Sequence, residues 1–76
     1  MHPKLRNINA RLFEKALKRD GFILVHQKGS HKSYFKGNRL VTLSFHHLRD
    51  SFPPKTLKSM IRQAGWSEKY LAGLFR

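Results

Sequence analysis

Apolar residues recur at the spacing of an α-helix near the start of the chain. The residues that share this face are Ala10, Phe13, Ala16 and Leu17. Asn7 or Asn9 can cap the start of such a helix, because a short polar side chain accepts a hydrogen bond from the first free backbone N–H groups. Asp20-Gly21 ends it, since glycine adopts the left-handed backbone that commonly follows a helix. The pattern therefore predicts a first helix over residues 9–19.

Three short segments with β-forming residues follow the first helix. Residues Phe22 to Gln27 end at Lys28-Gly29-Ser30, which is typical of a turn. Residues 31–36 and 39–45 flank Gly37-Asn38, a two-residue connection that suits the tight turn of an antiparallel hairpin. One face of the third segment is apolar and comprises Val41, Leu43 and Phe45. We therefore expect three strands, with an apolar side that packs against the helices.

A second helical pattern follows a loop predicted over residues 46–54. Its apolar face comprises Leu57, Met60, Ile61 and Ala64. Gly65 ends this helix, and Ser67 can cap a short third helix. Trp66, just before that cap, is positioned to pack on Leu71, which predicts a core position for Trp66.

The order of these elements defines the expected fold class. A helix, three antiparallel strands and a second helix, with a short extra helix at the C-terminus, make an α+β fold in two layers. The helices pack on one face of the sheet, and the other face stays in contact with water, where functional residues can lie. We find no repeat, low-complexity tract or linker in the 76 residues, so we expect one domain over residues 1–76.

The net charge of the chain indicates which kinds of partner it can bind. The chain carries 16 Lys and Arg residues against four Asp and Glu residues, a formal net charge of +12 at pH 7. Such a surface favours a polyanionic partner, and nucleic acid, an anionic membrane surface and an acidic protein are the candidates. The absence of cysteine excludes disulfides and thiolate zinc sites. The first twenty residues match neither a signal peptide nor a membrane span, so we expect a cytoplasmic protein without a membrane partner.

The acidic residues argue against several kinds of chemistry. They are Glu14, Asp20, Asp50 and Glu68. No two of them have the spacing of the carboxylate pair that acts as acid and base in glycoside hydrolysis. The same residues also lack the spacing of a coordination site for a hard metal ion. A glycine-rich phosphate loop followed by Lys-Ser or Lys-Thr is also absent. We therefore expect neither a metal nor a small-molecule cofactor.

Histidine is the remaining residue type that moves protons near neutral pH. The chain has five, at positions 2, 26, 31, 46 and 47. His2 lies in a terminal segment, and we interpret His26, within a strand, as a structural residue. His46 and His47 are candidate metal ligands, but neighbours on an extended segment point in opposite directions and no carboxylate assists them. This leaves His31 as the main candidate for chemistry.

His31 is set apart by its sequence neighbours. Lys28, Gly29 and Ser30 precede it and Lys32 follows it, so an imidazole stands at the start of a strand among cations and a permissive turn. This combination can form a phosphate site. From the residues alone, His31 is either catalytic, or structural, or a contact to RNA without catalysis.

Three segments of the chain, in order and spacing, resemble the HicA toxin family. They are Leu17 to Phe22 (LKRDGF), Gln27 to His31 (QKGSH) and Thr56 to Gly65 (TLKSMIRQAG). The Lys-Gly-Ser-His step after a strand is the most specific of these features. The resemblance is strongest over residues 10–65, which is nearly the whole predicted domain.

The resemblance implies a fold like that of double-stranded-RNA-binding domains and a toxin of a type II toxin–antitoxin system. It implies an endoribonuclease that cleaves mRNA and so inhibits translation, and a HicB-type antitoxin that neutralises it. Because the acidic residues form no metal site, we expect the cleavage to be independent of metal. The family's catalytic histidine corresponds to His31, acting as general base or acid. The expected RNA contacts are Lys28, Gly29, Ser30 and Lys32. The alternative is a non-catalytic RNA-binding module of the same fold.

The segment after the third strand departs from the family pattern. Members commonly have a proline before a histidine there and a glycine in the next loop, whereas this chain has Ser44 to Asp50 (SFHHLRD). Roles for His46 and His47 are therefore not carried over from the family.

Adjacent aromatic residues in the second predicted strand offer a contact to a base. Side chains alternate along a strand, so at most one of Tyr34 and Phe35 reaches the solvent face of the sheet. An aromatic ring there can stack on an unpaired base. The other ring is expected in the core.

Overall fold

A computed structural model describes residues 5–75 of the chain, and His2 lies outside them. The helices and strands are α1 (Ala10–Arg19), β1 (Ile23–Lys28), β2 (His31–Lys36), β3 (Arg39–Ser44), α2 (Pro54–Ala64) and α3 (Glu68–Gly73). This order confirms the predicted α+β fold, including the short C-terminal helix. The observed strands differ from the predicted ones by one residue at the ends of β1 and β3.

The three strands form one antiparallel sheet with β2 in the centre. Gly37-Asn38 connects β2 to β3 as the predicted hairpin turn. Between Leu24 and His26 the pairing of β1 with β2 contains a β-bulge, which the sequence pattern did not predict. A bulge adds one residue to one strand, and it therefore changes the face on which the following side chains lie.

Helix α1 begins where Asn9 caps it. The side-chain Oδ1 of Asn9 accepts a hydrogen bond from the backbone N–H of Leu12 at 2.9 Å, so Asn9 rather than Asn7 is the cap. The helix ends at Asp20, and Gly21 follows it with a positive φ, as expected. The apolar face is fully buried and comprises Ala10, Phe13, Ala16 and Leu17.

Helices α2 and α3 are separated by a turn at Gly65. Gly65 has a φ of 77°, and a Cβ atom there would lie 2.5 Å from the guanidinium carbon of Arg39. The left-handed backbone conformation therefore favours glycine at this position, whereas the Arg39 guanidinium is the end of a flexible side chain and can move aside. Ser67 caps α3 by accepting a hydrogen bond from the backbone N–H of Tyr70 at 3.0 Å.

Trp66 is a partly buried residue at the edge of the core, between α2 and α3. Its ring lies edge-on to Phe22, and its Nε1 donates a hydrogen bond to the Asp20 carboxylate at 2.8 Å. Asp20 also accepts a hydrogen bond from the Tyr70 hydroxyl and forms an ion pair with Lys36 at 3.2 Å. Burial raises the pKa of Asp20, but these three partners outweigh it and lower the pKa overall. The cluster ties the end of α1 to α3 and to the sheet.

The core lies on one side of the sheet. Its largest fully buried side chains are Tyr34, Phe13, Leu5, Leu17, Leu43, Leu57, Met60, Leu71 and Val41. Tyr34 of β2 and Val41 of β3 are cross-strand partners, so they define the inner face of the sheet. The residues that alternate with them point to the opposite face, which is exposed as predicted. None of the described helices combines the length and the apolar character that a membrane-spanning helix needs.

Candidate functional site

The exposed face of the sheet consists of three cross-strand rows. The row nearest the β1–β2 turn contains Lys28, His31 and Ser44. The middle row contains His26, Ser33 and Thr42. The row nearest the β2–β3 turn contains Ile23, Phe35 and Leu40. We call these nine residues the open face, of which two rows are polar and the third is apolar.

His31 lies at the polar end of the open face, as the first residue of β2, and its side chain is exposed. The turn before it is tied to the end of β3, because the carbonyl oxygen of Ser30 accepts a hydrogen bond from the backbone N–H of Phe45 at 3.1 Å. Gly29 in this turn has a φ of 60°, and no atom lies within 4 Å of the position that a Cβ would occupy. The backbone beside His31 is therefore both held in place and open to a ligand.

Three of the four predicted RNA contacts lie beside His31. Lys28 is its cross-strand partner in β1, and both side chains are exposed on the open face. Gly29 and Ser30 form the turn between them. An ammonium group, a turn with an exposed backbone and an imidazole at one edge of a sheet are an arrangement that can receive a phosphate.

Lys32, the fourth predicted RNA contact, lies on the other face of β2. Its Nζ is 3.1 Å from Oε2 of Glu14 in α1 and lies over the ring of Phe45, 5.3 Å from the ring centre. Side chains alternate along a strand, so neighbours such as Lys32 and His31 point to opposite faces. A role of Lys32 in RNA binding stays a prediction, and the contacts that it makes here are to the protein.

Glu14 is a buried carboxylate that the sequence analysis did not single out. It accepts hydrogen bonds from the Tyr34 hydroxyl and from Lys32. Burial, followed by the hydrogen bond to Glu14, raises the pKa of the Tyr34 hydroxyl far above its ordinary value. A signal was present in the sequence, because Glu14 stands four residues after Ala10 and three before Leu17, within the apolar stripe of α1. Glu14 therefore holds the inner side of β2 against α1.

The remaining described histidines lie on either side of His31. His26 is exposed on the open face, in the row next to that of His31, and is not buried as a structural residue would be. His46 lines a groove of about 410 Å³ that is also lined by Gly29, Ser30 and Lys32. The backbone N–H groups of His46 and His47 both donate to Asp50, which shapes their loop. Among residues 5–75, no group of three or more potential metal ligands comes together.

The aromatic pair of β2 divides between the two faces, as alternation requires. Tyr34 is fully buried, whereas Phe35 lies on the open face with 39% of its surface exposed. Ile23 and Leu40 flank Phe35 in the same row. Of the two rings, Phe35 is therefore the one that is exposed to solvent on the open face.

The fold and the site define a small basic α+β protein that presents a histidine and a lysine at the polar end of an open sheet. A family model described as the HicA toxin of bacterial toxin–antitoxin systems matches residues 10–66. Because the match covers most of the chain, the protein belongs to the HicA toxin family, as the resemblance predicted. It is thus the toxin of a toxin–antitoxin system and has an antitoxin as its partner. A search of curated proteins found no match.

Proposed function

We propose that the protein is an endoribonuclease that cleaves mRNA in the cytoplasm and inhibits translation, with His31 as its catalytic residue. The observation that carries this proposal is the exposed His31 imidazole beside Lys28 and a glycine turn. Imidazole moves protons near neutral pH, and a neighbouring ammonium group attracts phosphate. Membership in the HicA toxin family supports the same activity.

In the proposed reaction, the neutral imidazole of His31 accepts the proton of a 2′-hydroxyl in the RNA. The 2′-oxygen attacks the adjacent phosphorus, and the bond from phosphorus to the 5′-oxygen breaks. The products are a 2′,3′-cyclic phosphate and a 5′-hydroxyl end. Because the RNA supplies its own nucleophile, the step needs neither a metal-bound water nor a cofactor.

The groups beside His31 stabilise the charge that develops on the phosphate. The backbone N–H groups of Gly29 and Ser30 are held in place before the substrate arrives, since Ser30 is tied to β3, and the exposed Lys28 ammonium adds positive charge beside them. Donors that are already oriented toward developing charge contribute a large part of catalysis in enzymes of many kinds. The net charge of +12 supplies the general attraction to the RNA backbone.

Phe35 completes the proposed binding surface. It lies four residues along β2 from His31 on the same face, and Ile23 and Leu40 flank it on the neighbouring strands as an apolar surface. A base next to the cleaved phosphate can stack on this ring while the backbone runs over the polar rows. Stacking is tolerant of sequence, so this contact favours single-stranded RNA without selecting one base.

The antitoxin, which we propose to be of the HicB type, has to keep a phosphate away from His31. The simplest way is to cover the open face with acidic residues, because this face carries Lys28 within a strongly basic protein. Complementary charge accelerates the encounter of two proteins more than it fixes their affinity. We therefore expect the rate of complex formation to fall as the salt concentration rises.

Incubation of the purified protein with labelled RNA of defined sequence tests the proposal. We expect fragments that carry 2′,3′-cyclic phosphate and 5′-hydroxyl ends. A protein that binds the RNA and leaves it intact is instead a non-catalytic RNA-binding module. A protein that does not bind RNA in the absence of its antitoxin uses its charge for that partner alone, and both results contradict the proposal.

A further inference from the structure

The proposed cleavage requires a second proton transfer that His31 does not perform. When the bond from phosphorus to the 5′-oxygen breaks, that oxygen leaves as an alkoxide unless an acid protonates it. The ionisable side chains of the open face besides His31 are Lys28 and His26. An imidazolium gives up its proton near neutral pH and an ammonium group does not, so His26 is the better candidate.

The β-bulge in β1 is what places His26 on the open face. Ile23 faces Phe35 on the open face and Leu24 faces the buried Tyr34. With strict alternation from these residues, His26 would point inward. The pairing instead skips one residue, so that His26 faces Ser33 on the open face. Bulges are frequent next to active sites, where they redirect a side chain, and this one redirects His26.

The register sets the distance between the two histidines. His26 faces Ser33, and His31 is two residues before Ser33 in the same strand and on the same face. His26 and His31 are thus diagonal neighbours, which in an antiparallel pair lie roughly 7–8 Å apart. Two imidazoles at this separation can approach one phosphate from two sides, as the attacking and leaving oxygens of an in-line displacement require.

We infer that His26 is the general acid of the reaction and protonates the 5′-oxygen leaving group while His31 deprotonates the 2′-hydroxyl. This inference rests on the proposed function. The 2′-oxygen forms a bond to phosphorus, the bond to the 5′-oxygen breaks, and the proton on that oxygen comes from the His26 imidazolium. His31 ends the step protonated and His26 neutral, and exchange with water restores both. His26 is therefore a catalytic residue rather than a structural one.

The surroundings of His26 suit this role. The neighbouring strands contribute Ser33 and His31 from β2 and the uncharged Thr42 from β3, and Lys28 follows in β1. None of the described carboxylates belongs to the open face. The other candidate acid, His46, lies in the loop after β3 and lines a groove with Gly29, Ser30 and Lys32, so it is near the turn beside His31 but outside the rows of the open face. His26 lies in a row of the open face, next to the row of His31, whereas His46 lies in none of these rows.

RNA with a sulfur atom in place of the bridging 5′-oxygen at the cleavage site tests the assignment, because a thiolate leaves without protonation. On ordinary RNA we expect His26→Ala to lose roughly 100- to 10,000-fold in rate, the usual contribution of a general acid. On the sulfur-bridged substrate the same variant should cleave at close to the wild-type rate. His31→Ala should be slow on both substrates, since the 2′-hydroxyl has to be deprotonated whichever atom leaves.

The pH dependence gives a second readout. The wild-type rate should pass through a maximum, because one histidine has to be neutral and the other protonated. His26→Ala should lose the decline on the alkaline side and keep the decline on the acid side. His47→Ala, which changes an exposed histidine of the β3–α2 loop, is the matched control and should retain the maximum.

Each outcome bears on either His26 or the proposed function. If His26→Ala is slowed equally on both substrates, or cleaves ordinary RNA normally, His26 is not the acid. His26→Gln, which keeps a polar side chain without a proton to give, should reproduce the Ala variant, and thermal unfolding of both should match wild type. If the wild-type protein cleaves neither substrate, the proposed function is wrong, and the role proposed for His26 is then wrong as well.

Discussion

The Glu14 carboxylate accepts a hydrogen bond from the Tyr34 hydroxyl in the buried layer between α1 and the sheet. The same carboxylate pairs with Lys32, two residues before Tyr34 in β2. Both partners are on the inner face, and His31 projects from the other side of the same strand. The buried contacts that stabilise the fold and the proposed chemistry of His31 therefore lie on opposite faces of β2, and substitutions should separate them.

Replacing Glu14 with leucine should destabilise the fold and leave the open face intact. The change leaves the buried Tyr34 hydroxyl without an acceptor and removes the partner of the Lys32 ammonium. A buried donor without a hydrogen-bond partner lowers the free energy of unfolding by about 1–3 kcal/mol. Urea unfolding measures this loss. Tyr34→Phe added to Glu14→Leu removes the stranded hydroxyl, so the double variant should recover part of the stability. A single variant as stable as wild type contradicts the role given to Glu14.

Asp20 should make the fold sensitive to acid. The hydrogen bonds from Tyr70 and Trp66 and the charge of Lys36 outweigh burial and lower the pKa of Asp20 in the folded state. A carboxyl group with a lowered pKa stabilises the fold above its unfolded pKa of about 3.9, and this stabilisation is lost as the pH falls toward the folded pKa. Asp20→Asn should therefore be less stable than wild type at pH 6, with a difference that shrinks below about pH 4. Unfolding at both pH values measures this, and a constant difference contradicts it.

The fold could be predicted from the sequence because its signals are local. The apolar stripe of α1, the Gly37-Asn38 turn and the Ser67 cap each depend on a few neighbouring residues, and all three are confirmed. The faces of β2 also followed from alternation once one residue was known to be buried.

Parts of the candidate site could not be predicted because they depend on contacts between distant residues. The bulge that brings His26 to the open face arises from how β1 pairs with β2, and periodicity within β1 carries no sign of it. Alternation along β2 predicts that Lys32 lies on the opposite face from His31, but periodicity within β2 carries no sign of its ion pair with the buried Glu14 of α1. Residues that precede His31 in the turn thus lie beside it, whereas the residue that follows it in β2 lies on the opposite face.

Lys28 should contribute to RNA binding through charge. Each phosphate contact on a single strand adds roughly 0.7 to the slope of log affinity against log salt, so Lys28→Ala should reduce that slope by about this amount. Lys58→Ala, which removes an exposed lysine of α2, is the control and should change the slope less. Fluorescence anisotropy at several salt concentrations measures both. Equal slopes for wild type and Lys28→Ala contradict a phosphate contact at Lys28.

Cleavage should survive the removal of divalent metals. The proposed step uses the 2′-hydroxyl of the RNA as nucleophile and a histidine as base, so no metal-bound water takes part. RNA cleavage with and without EDTA measures this, at constant ionic strength because salt alone weakens binding. Loss of activity in EDTA that one added metal restores contradicts the proposed chemistry.

The most direct measurement is the rate at which His31→Ala cleaves a defined RNA, with affinity for that RNA and thermal unfolding recorded on the same protein. His31 is exposed and outside the buried core. We predict a loss of about 100- to 10,000-fold in rate, with affinity and unfolding close to wild type. Cleavage by His31→Ala at near the wild-type rate contradicts the account, and loss of cleavage on replacing His46 or His47 instead moves the active site to the loop after β3.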